Sequence, residues 1–182
     1  MHYHQNAKEN WLLRTSAEFG GQTYQAALNA CASERERYDF EMRNATSKNI
    51  GNMLGWDCTR ANSLECHYEN LIRDTESQLF LRIAKHLGFS EDERPMCGRV
   101  FWRNAIFGGK AKVKEERTFA HIRSGEPEQW RGVFDRKLGE AFLAQFGDVL
   151  VKLGYEKDDS WLGGLPAKRG DLDDANPANP AH

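Results

Sequence analysis

The sequence predicts a mostly α-helical domain, or the helical part of a larger α/β one. Apolar residues recur at helical spacing along most of the chain, as at Leu79, Ile83 and Leu87. A single short segment, Ser63 to Tyr68, reads as a strand, whereas a self-contained α/β domain needs several. The composition is that of a folded chain: 182 residues, 40% hydrophobic and 29% charged. A chain of that length buries roughly 70% of its unfolded surface and needs no disulfide or metal to fold. With 25 basic against 27 acidic side chains the net charge is −2, which argues against a nucleic-acid partner and leaves room for a local basic pocket. The longest apolar runs are short, such as Val149-Leu150-Val151, so no membrane span is expected. His2-Tyr3-His4-Gln5-Asn6 lacks the apolar stretch of a signal peptide. Cys31, Cys58, Cys66 and Cys97 form no CxxC pair and no zinc-type spacing, which fits thiols in a reducing cytoplasm.

Taken in order, the first thirty residues are polar, with an apolar clump at Trp11-Leu12-Leu13 and a break at Gly20-Gly21. Tyr24, Leu28 and Cys31 then fall three and four apart, on one face of a helix. A charged patch, Glu34 to Arg37, leads into a second helical pattern carrying Phe40, Ile50, Met53 and Leu54, stopped by Gly55-Trp56-Asp57. After the strand candidate, Asp74 is placed to cap a helix with Leu79, Ile83 and Leu87, and Gly88 suits its end. Ser90-Glu91-Asp92-Glu93 has the spacing of a capping box and opens a helix that carries Val100 and Phe101. Gly108 to Glu128 has no clean period, contains Gly108-Gly109 and several cations, and reads as a long functional loop. Asp135 caps the clearest helix, with Leu138, Phe142, Phe146, Val149, Leu150 and Leu153 as its stripe and Gly154 as its stop. Unbroken, that helix would be about 28 Å long. Residues 1–156 are therefore expected to form the domain, and the Pro-, Gly- and Asp-rich residues 157–182 a disordered tail. No internal repeat is visible.

Most candidate chemistry is weak when read from the residues. His2 and His4 lack a third metal ligand. Phe107-Gly108-Gly109-Lys110 lacks the spacing of a nucleotide-triphosphate loop. Glu65 and Glu69 flank Tyr68, but two carboxylates four apart across a strand end need not meet. The informative segment runs from His121 to Phe134. There Arg123 is a guanidinium two residues before Gly125, at the end of a basic loop, and such a turn can bind phosphate through backbone N–H groups and arginine together. The same residues also read as a surface arginine beside Trp130 and Phe134, two anchors of the following helix.

This segment resembles the C-terminal signature of the cytosolic-type sulfotransferase family, Arg-Lys-Gly-x-x-Gly-Asp-Trp-Lys-x-x-Phe. Arg123, Gly125, Trp130 and Phe134 match it, and Arg131 replaces the lysine conservatively; Ser124, Glu128 and Gln129 depart from Lys, Gly and Asp. Phe146 to Glu156 is similar to the family's closing helix with its Leu-Gly-Tyr ending. Tyr68-Glu69-Asn70-Leu71 is similar to its Tyr-Glu-Asp-Leu strand and turn, followed by a helix ending His86-Leu87-Gly88-Phe89. Gly108-Gly109-Lys110 falls where the family has a glycine-rich loop, so the ordered blocks cover roughly residues 20 to 156.

The resemblance implies an α/β, P-loop-like sulfotransferase fold, of which this chain is a mostly helical C-terminal portion with few strands. It implies the cofactor 3′-phosphoadenosine 5′-phosphosulfate (PAPS) and transfer of its sulfuryl group to a hydroxyl or amine of a small-molecule or glycan acceptor. Arg123, Ser124 and Gly125 would hold the 3′-phosphate, Tyr68 would meet the adenine edge, and Phe101 or Trp102 would stack on the ring. Ser124 in place of lysine removes one cation but keeps a donor. The family's Pro-Lys-x-Gly loop for the 5′-phosphosulfate, its general-base histidine and its Arg…Ser pair have no match here; His67, His86 and His121 do not stand at the base position. The chain is thus expected to need a missing N-terminal segment or partner chain for transfer. The alternative is a non-catalytic adenosine-phosphate-binding or protein-interaction module.

Overall fold

The computed structural model describes residues 2–105, 108 and 125–172, and among these the structure is mostly helical. In chain order the helices are α1 (His2–Asn6), α2 (Asn10–Leu13), α3 (Tyr24–Asn29), α4 (Glu34–Glu41), α5 (Ser47–Leu54), α6 (Tyr68–Ile72), α7 (Gln78–His86), α8 (Arg94–Asn104), α9 (Arg136–Phe146) and α10 (Val149–Lys152). The β pairing among the described residues is one isolated antiparallel bridge, Thr15 to Thr23. No described helix is long and apolar enough to cross a membrane. The chain divides into two compact units, Met1–Trp56 with Trp130–His182, and Asp57–Gln129.

In the first unit, capping sets the helix starts. Thr23 Oγ1 accepts the Ala26 N–H at 3.0 Å and Ser33 Oγ accepts the Glu36 N–H at 3.2 Å, opening α3 and α4. A π-helical turn, Met42–Thr46, joins α4 to α5, so residues 34–54 form one rod with a wide turn in its middle. That rod serves two apolar clusters. Phe40 and Ala45 pack on Leu12, Tyr24 and Leu28, while Met42 joins Leu138 and Leu172 beneath Phe134, Phe142 and Phe146. Glu41 is buried at the seam, and its carboxylate accepts from the Tyr24 hydroxyl at 2.7 Å and lies 2.7 Å from His4 Nδ1.

One ion pair ties the two sequence halves of this unit together. Asp135, 1% exposed, receives Arg35 Nη1 at 3.1 Å and Nη2 at 2.7 Å, across 100 residues. The same carboxylate caps α9 by accepting the Leu138 N–H at 2.9 Å, and it accepts the Arg169 N–H at 3.2 Å. The guanidinium hydrogen bonds hold its pKa well below the usual carboxylate range, against the opposing effect of burial.

The capped helix is not continuous to Gly154. The chain leaves helical geometry at Gly147 (φ 59°, ψ −136°), and α10 resumes at Val149. The apolar stripe survives the break, since Leu138 and Val149 are both buried.

The expected disorder from residue 157 is also corrected for the described part of the tail. Asp159–Gly164 and Gly170–Leu172 form 3₁₀ turns that bury Trp161, Leu165 and Leu172. Gly139 on α9 gives them room, because a Cβ there would come within 2.6 Å of Leu165 Cδ1. Trp161, Leu162 and Leu165 make a single turn of apolar spacing and Leu172 stands alone, too short a pattern among Gly, Pro and Asp to announce an element. Residues 173–182 lie outside the described residues.

The second unit holds α6, α7 and α8. The strand expected over Ser63 to Tyr68 is absent: residues 63–67 have no regular structure and Tyr68 opens α6. A strand needs a partner for its ladder, and no described segment of this unit supplies one. The N-cap position of α7 is Ser77 rather than Asp74, but the Asp74 carboxylate still serves the first turn, accepting the Phe80 N–H at 2.9 Å. At the other end Phe89 N–H bonds Ala84 O and Gly88 N–H bonds Lys85 O, both at 3.0 Å, the Schellman closure expected there. Ser90 N–H and Oγ–H both bond the Glu93 carboxylate, at 2.9 and 2.8 Å, and α8 begins at the next residue. Phe80 of α7 and Phe101 of α8 stack at 4.2 Å. The apolar side chains buried in this unit, among the described residues, are Ala84 and Ala105, while Leu64, Leu87, Phe89, Met96 and Val100 stay exposed.

Trp161 provides the test of the ordered tail. Its indole packs edge-on to Trp130 at 5.5 Å. Trp161→Ala is expected to lower stability by about 3–5 kcal/mol, the range for truncating a buried aromatic. Thermal denaturation reads this, and an unchanged melting temperature would contradict the packing described.

Candidate nucleotide-binding site

Two of the residues nominated by sequence meet. His67 is extended (φ −75°, ψ 133°) and the chain turns into α6 at Tyr68, whose side chain is left half exposed. The Tyr68 hydroxyl donates to the Gly125 carbonyl at 2.5 Å, joining segments 57 residues apart. Burial, then the carboxylates of Glu126 and Glu69, push the phenol pKa up, so it remains protonated at neutral pH. Its one proton is committed to Gly125, and the oxygen's remaining lone pairs are acceptors.

Gly125 lies at φ 70°, the left-handed region that favours glycine. Three residues on, Glu128 lies at φ 57°, a conformation a side chain tolerates at a cost. The signature that the sequence resembles has glycine at that position. The backbone at Glu128 therefore has the shape that glycine would relieve. Gln129 Nε2 donates to the Glu126 carbonyl at 2.8 Å and closes the turn between them.

The two aromatic candidates are placed differently. Phe101 stacks on Phe80 with an interplanar angle of 11°, so one face of its ring is committed to helix packing. Trp102 is 40% exposed, and its indole lies against Gly108, where a Cβ would come within 3.0 Å of Cδ2. Arg123 and Ser124, the candidate phosphate ligands, lie outside the described residues, as do Gly109 and Lys110.

The rest of the signature belongs to the first unit and is used for packing. Trp130 meets Phe134 at 5.9 Å and Trp161 at 5.5 Å. Arg131 lies over the Trp130 ring at 4.4 Å and pairs with Glu156 at 2.5 Å. Of the weaker candidates, His4 is tied to Glu41, and Glu65 lies 3.7 Å from His67 Nε2. Glu69 Oε2 is buried with no hydrogen-bond partner among the described residues. No three His, Cys, Asp or Glu side chains converge among those residues.

Reading by spacing missed the left-handed backbone at Glu128, although its departure from the signature's glycine was the signal that marks it. The chain matches no protein-family model, no curated protein and no solved structure.

The turn can be tested by comparing two variants that both lose the Glu128 side chain. Glu128→Gly should be more stable than Glu128→Ala by roughly 1 kcal/mol, since alanine keeps the left-handed penalty. At an ordinary exposed position the order reverses. Chemical denaturation of both variants decides it, and a more stable alanine variant would remove the strained turn from the account.

Proposed function

We propose that this chain forms the helical part of a sulfotransferase of the α/β, P-loop-like type, binding PAPS and contributing to sulfuryl transfer onto a hydroxyl or amine of a small-molecule or glycan acceptor. The observation that carries the reading is the hydrogen bond from Tyr68 to Gly125. It joins two segments that the signature nominates for one nucleotide, one for the adenine edge and one for the 3′-phosphate. With its proton committed, Tyr68 can accept from the adenine amino group, whose N–H is a donor. Trp102, the more exposed of the two aromatics, fits adenine stacking better than Phe101, whose face is on Phe80. Arg123 supplies a fixed cation for phosphate, Ser124 a hydroxyl donor and Gly125 the backbone turn. No residue of this chain is assigned the role of general base or a place on the transferring sulfuryl group; in the proposal those come from a further segment or partner chain.

A second reading has its own support. Exposed Leu87 and Phe89 at the end of α7, with Met96 and Val100 on α8, favour a protein-contact role for the second unit, with adenosine-phosphate binding kept or lost.

Isothermal titration with adenosine 3′,5′-bisphosphate tests the nucleotide site. Binding should weaken as salt rises, because exposed phosphate contacts are screened. Arg123→Ala should cost about 1.5–3 kcal/mol, the range for a hydrogen bond to a charged group. Ser124→Lys should strengthen binding by restoring a second cation. Equal affinity in the parent chain and Arg123→Ala would sink the assignment and leave the protein-contact reading standing.

A further inference from the structure

The first unit carries a cleft of about 810 Å³ whose walls come from residues 11–24 and 43–48. Arg14, Arg43 and Lys48 line it, opposed by one carboxylate, Glu18. None of these three cations has an ion pair among the described residues. In the same unit Arg35, Arg131 and Lys152 are each held by an acid, whereas these three cations face one concavity with a single acid. Three unpaired cations around one concavity repel one another, and an anion in their midst removes that repulsion.

The backbone supports the same surface. Met42–Thr46 is the π turn of the rod, a rare geometry that recurs at functional sites. Asn44 Nδ2 donates to the Phe40 carbonyl at 2.7 Å within the turn. Arg43 and Lys48 both reach the cleft from this part of the rod. Arg37, only 7% exposed, lies one helical stretch earlier, and its Nε has no hydrogen-bond partner among the described residues. Burial and then Glu36 push the Cys31 thiol pKa up, offset in part by Arg37 and Arg43.

The cleft also has an aromatic wall. Trp11 lines it with 45% of its surface exposed. The indole is held in place by edge contacts to His4 and Tyr24, both at 5.1 Å, and by donation from Nε1 to Glu9 at 2.5 Å. A fixed ring costs little ordering entropy when a second ring packs on it.

We propose that this cleft binds a small oxyanion carried on a planar ring, an aryl phosphate, sulfate or carboxylate. The oxyanion is held by Arg14, Arg43 and Lys48, and the ring packs against Trp11. The volume is that of a small-molecule site, and the near-neutral chain with net charge −2 disfavours a polyanion. The inference does not rest on the nucleotide site, none of whose residues line the cleft.

The test is calorimetric titration of the full chain with phenyl phosphate, with inorganic phosphate and phenol as the arms lacking ring or charge. Phenyl phosphate should bind at least about tenfold more tightly than either, and Arg43→Ala should weaken it about tenfold. Arg43→Gln, which keeps the helix propensity and loses the charge, should behave the same way. Lys137→Ala on α9 is the control and should bind as the parent does. Arg123→Ala removes the proposed nucleotide site and should leave phenyl phosphate binding intact, so the two proposals fail separately. Equal affinity for phenyl phosphate in the parent, Arg43→Ala and Arg43→Gln, or no binding by the folded parent at millimolar concentration, would overturn the proposal.

Discussion

The Asp135 carboxylate is the constraint on which the first unit depends. It takes both arms of the Arg35 guanidinium, starts α9 through Leu138 and holds the tail through Arg169. Removing one partner of such a pair strands a buried charge, at a cost of about 3–5 kcal/mol, whereas an apolar replacement of both can be nearly neutral. Its worth here lies in register as much as in energy. The pair fixes where residue 35 meets residue 135, and with that where Met42 meets Leu138 and Leu172. Because Arg35 lowers the folded pKa, the stabilisation is complete above the unfolded carboxylate pKa of about 4. It is lost as pH falls from there toward the lower folded value.

The rod of residues 34–54 carries this constraint toward the surface. Its α4 part is held at Arg35, and its Phe40 and Met42 seat it in two clusters. The π turn then follows at Met42–Thr46, where the rod meets the cleft. Well-packed anchors on one side support the π turn on the other, the usual arrangement for a site placed on a rigid element. The second unit contrasts with this. With Ala84 and Ala105 as its buried apolar residues and the Phe80–Phe101 stack between its helices, it leaves large side chains in solvent. Such a surface gains by being covered, in keeping with a nucleotide or protein partner.

What the sequence made legible was local. Tyr24 and Leu28 are buried one turn apart, Asp135 caps α9, Asp74 bonds the first turn of α7 and Gly88 closes that helix. Each of these follows from spacing or from a side chain acting within a few residues. What escaped depends on distant partners. Ser63 to Tyr68 has strand composition but no neighbouring strand, Gly147 interrupts a stripe whose period runs straight through it, and Trp161 with Leu165 makes only one turn of apolar spacing in a Gly- and Pro-rich stretch. Arg35 reads as one charge in a charged run, and only folding brings it to Asp135. The candidate sites divide in the same way. Tyr68 and Gly125 were nominated through resemblance to a signature, because nothing local connects residues 57 apart. The cleft was invisible, since Trp11 and Arg14 stand at α2 and Arg43 and Lys48 on the rod, with no motif linking the two pairs.

The most direct measurement of the central claim is photoaffinity labelling with 8-azidoadenosine 3′,5′-bisphosphate, followed by peptide mapping. The proposal puts the adenine at Tyr68 and Trp102, so label should appear on peptides from residues 68–72 or 94–104 and be competed away by unlabelled adenosine 3′,5′-bisphosphate. Competed label found instead on residues 11–48 would move the nucleotide to the cleft, and the account of the Tyr68–Gly125 site would be wrong.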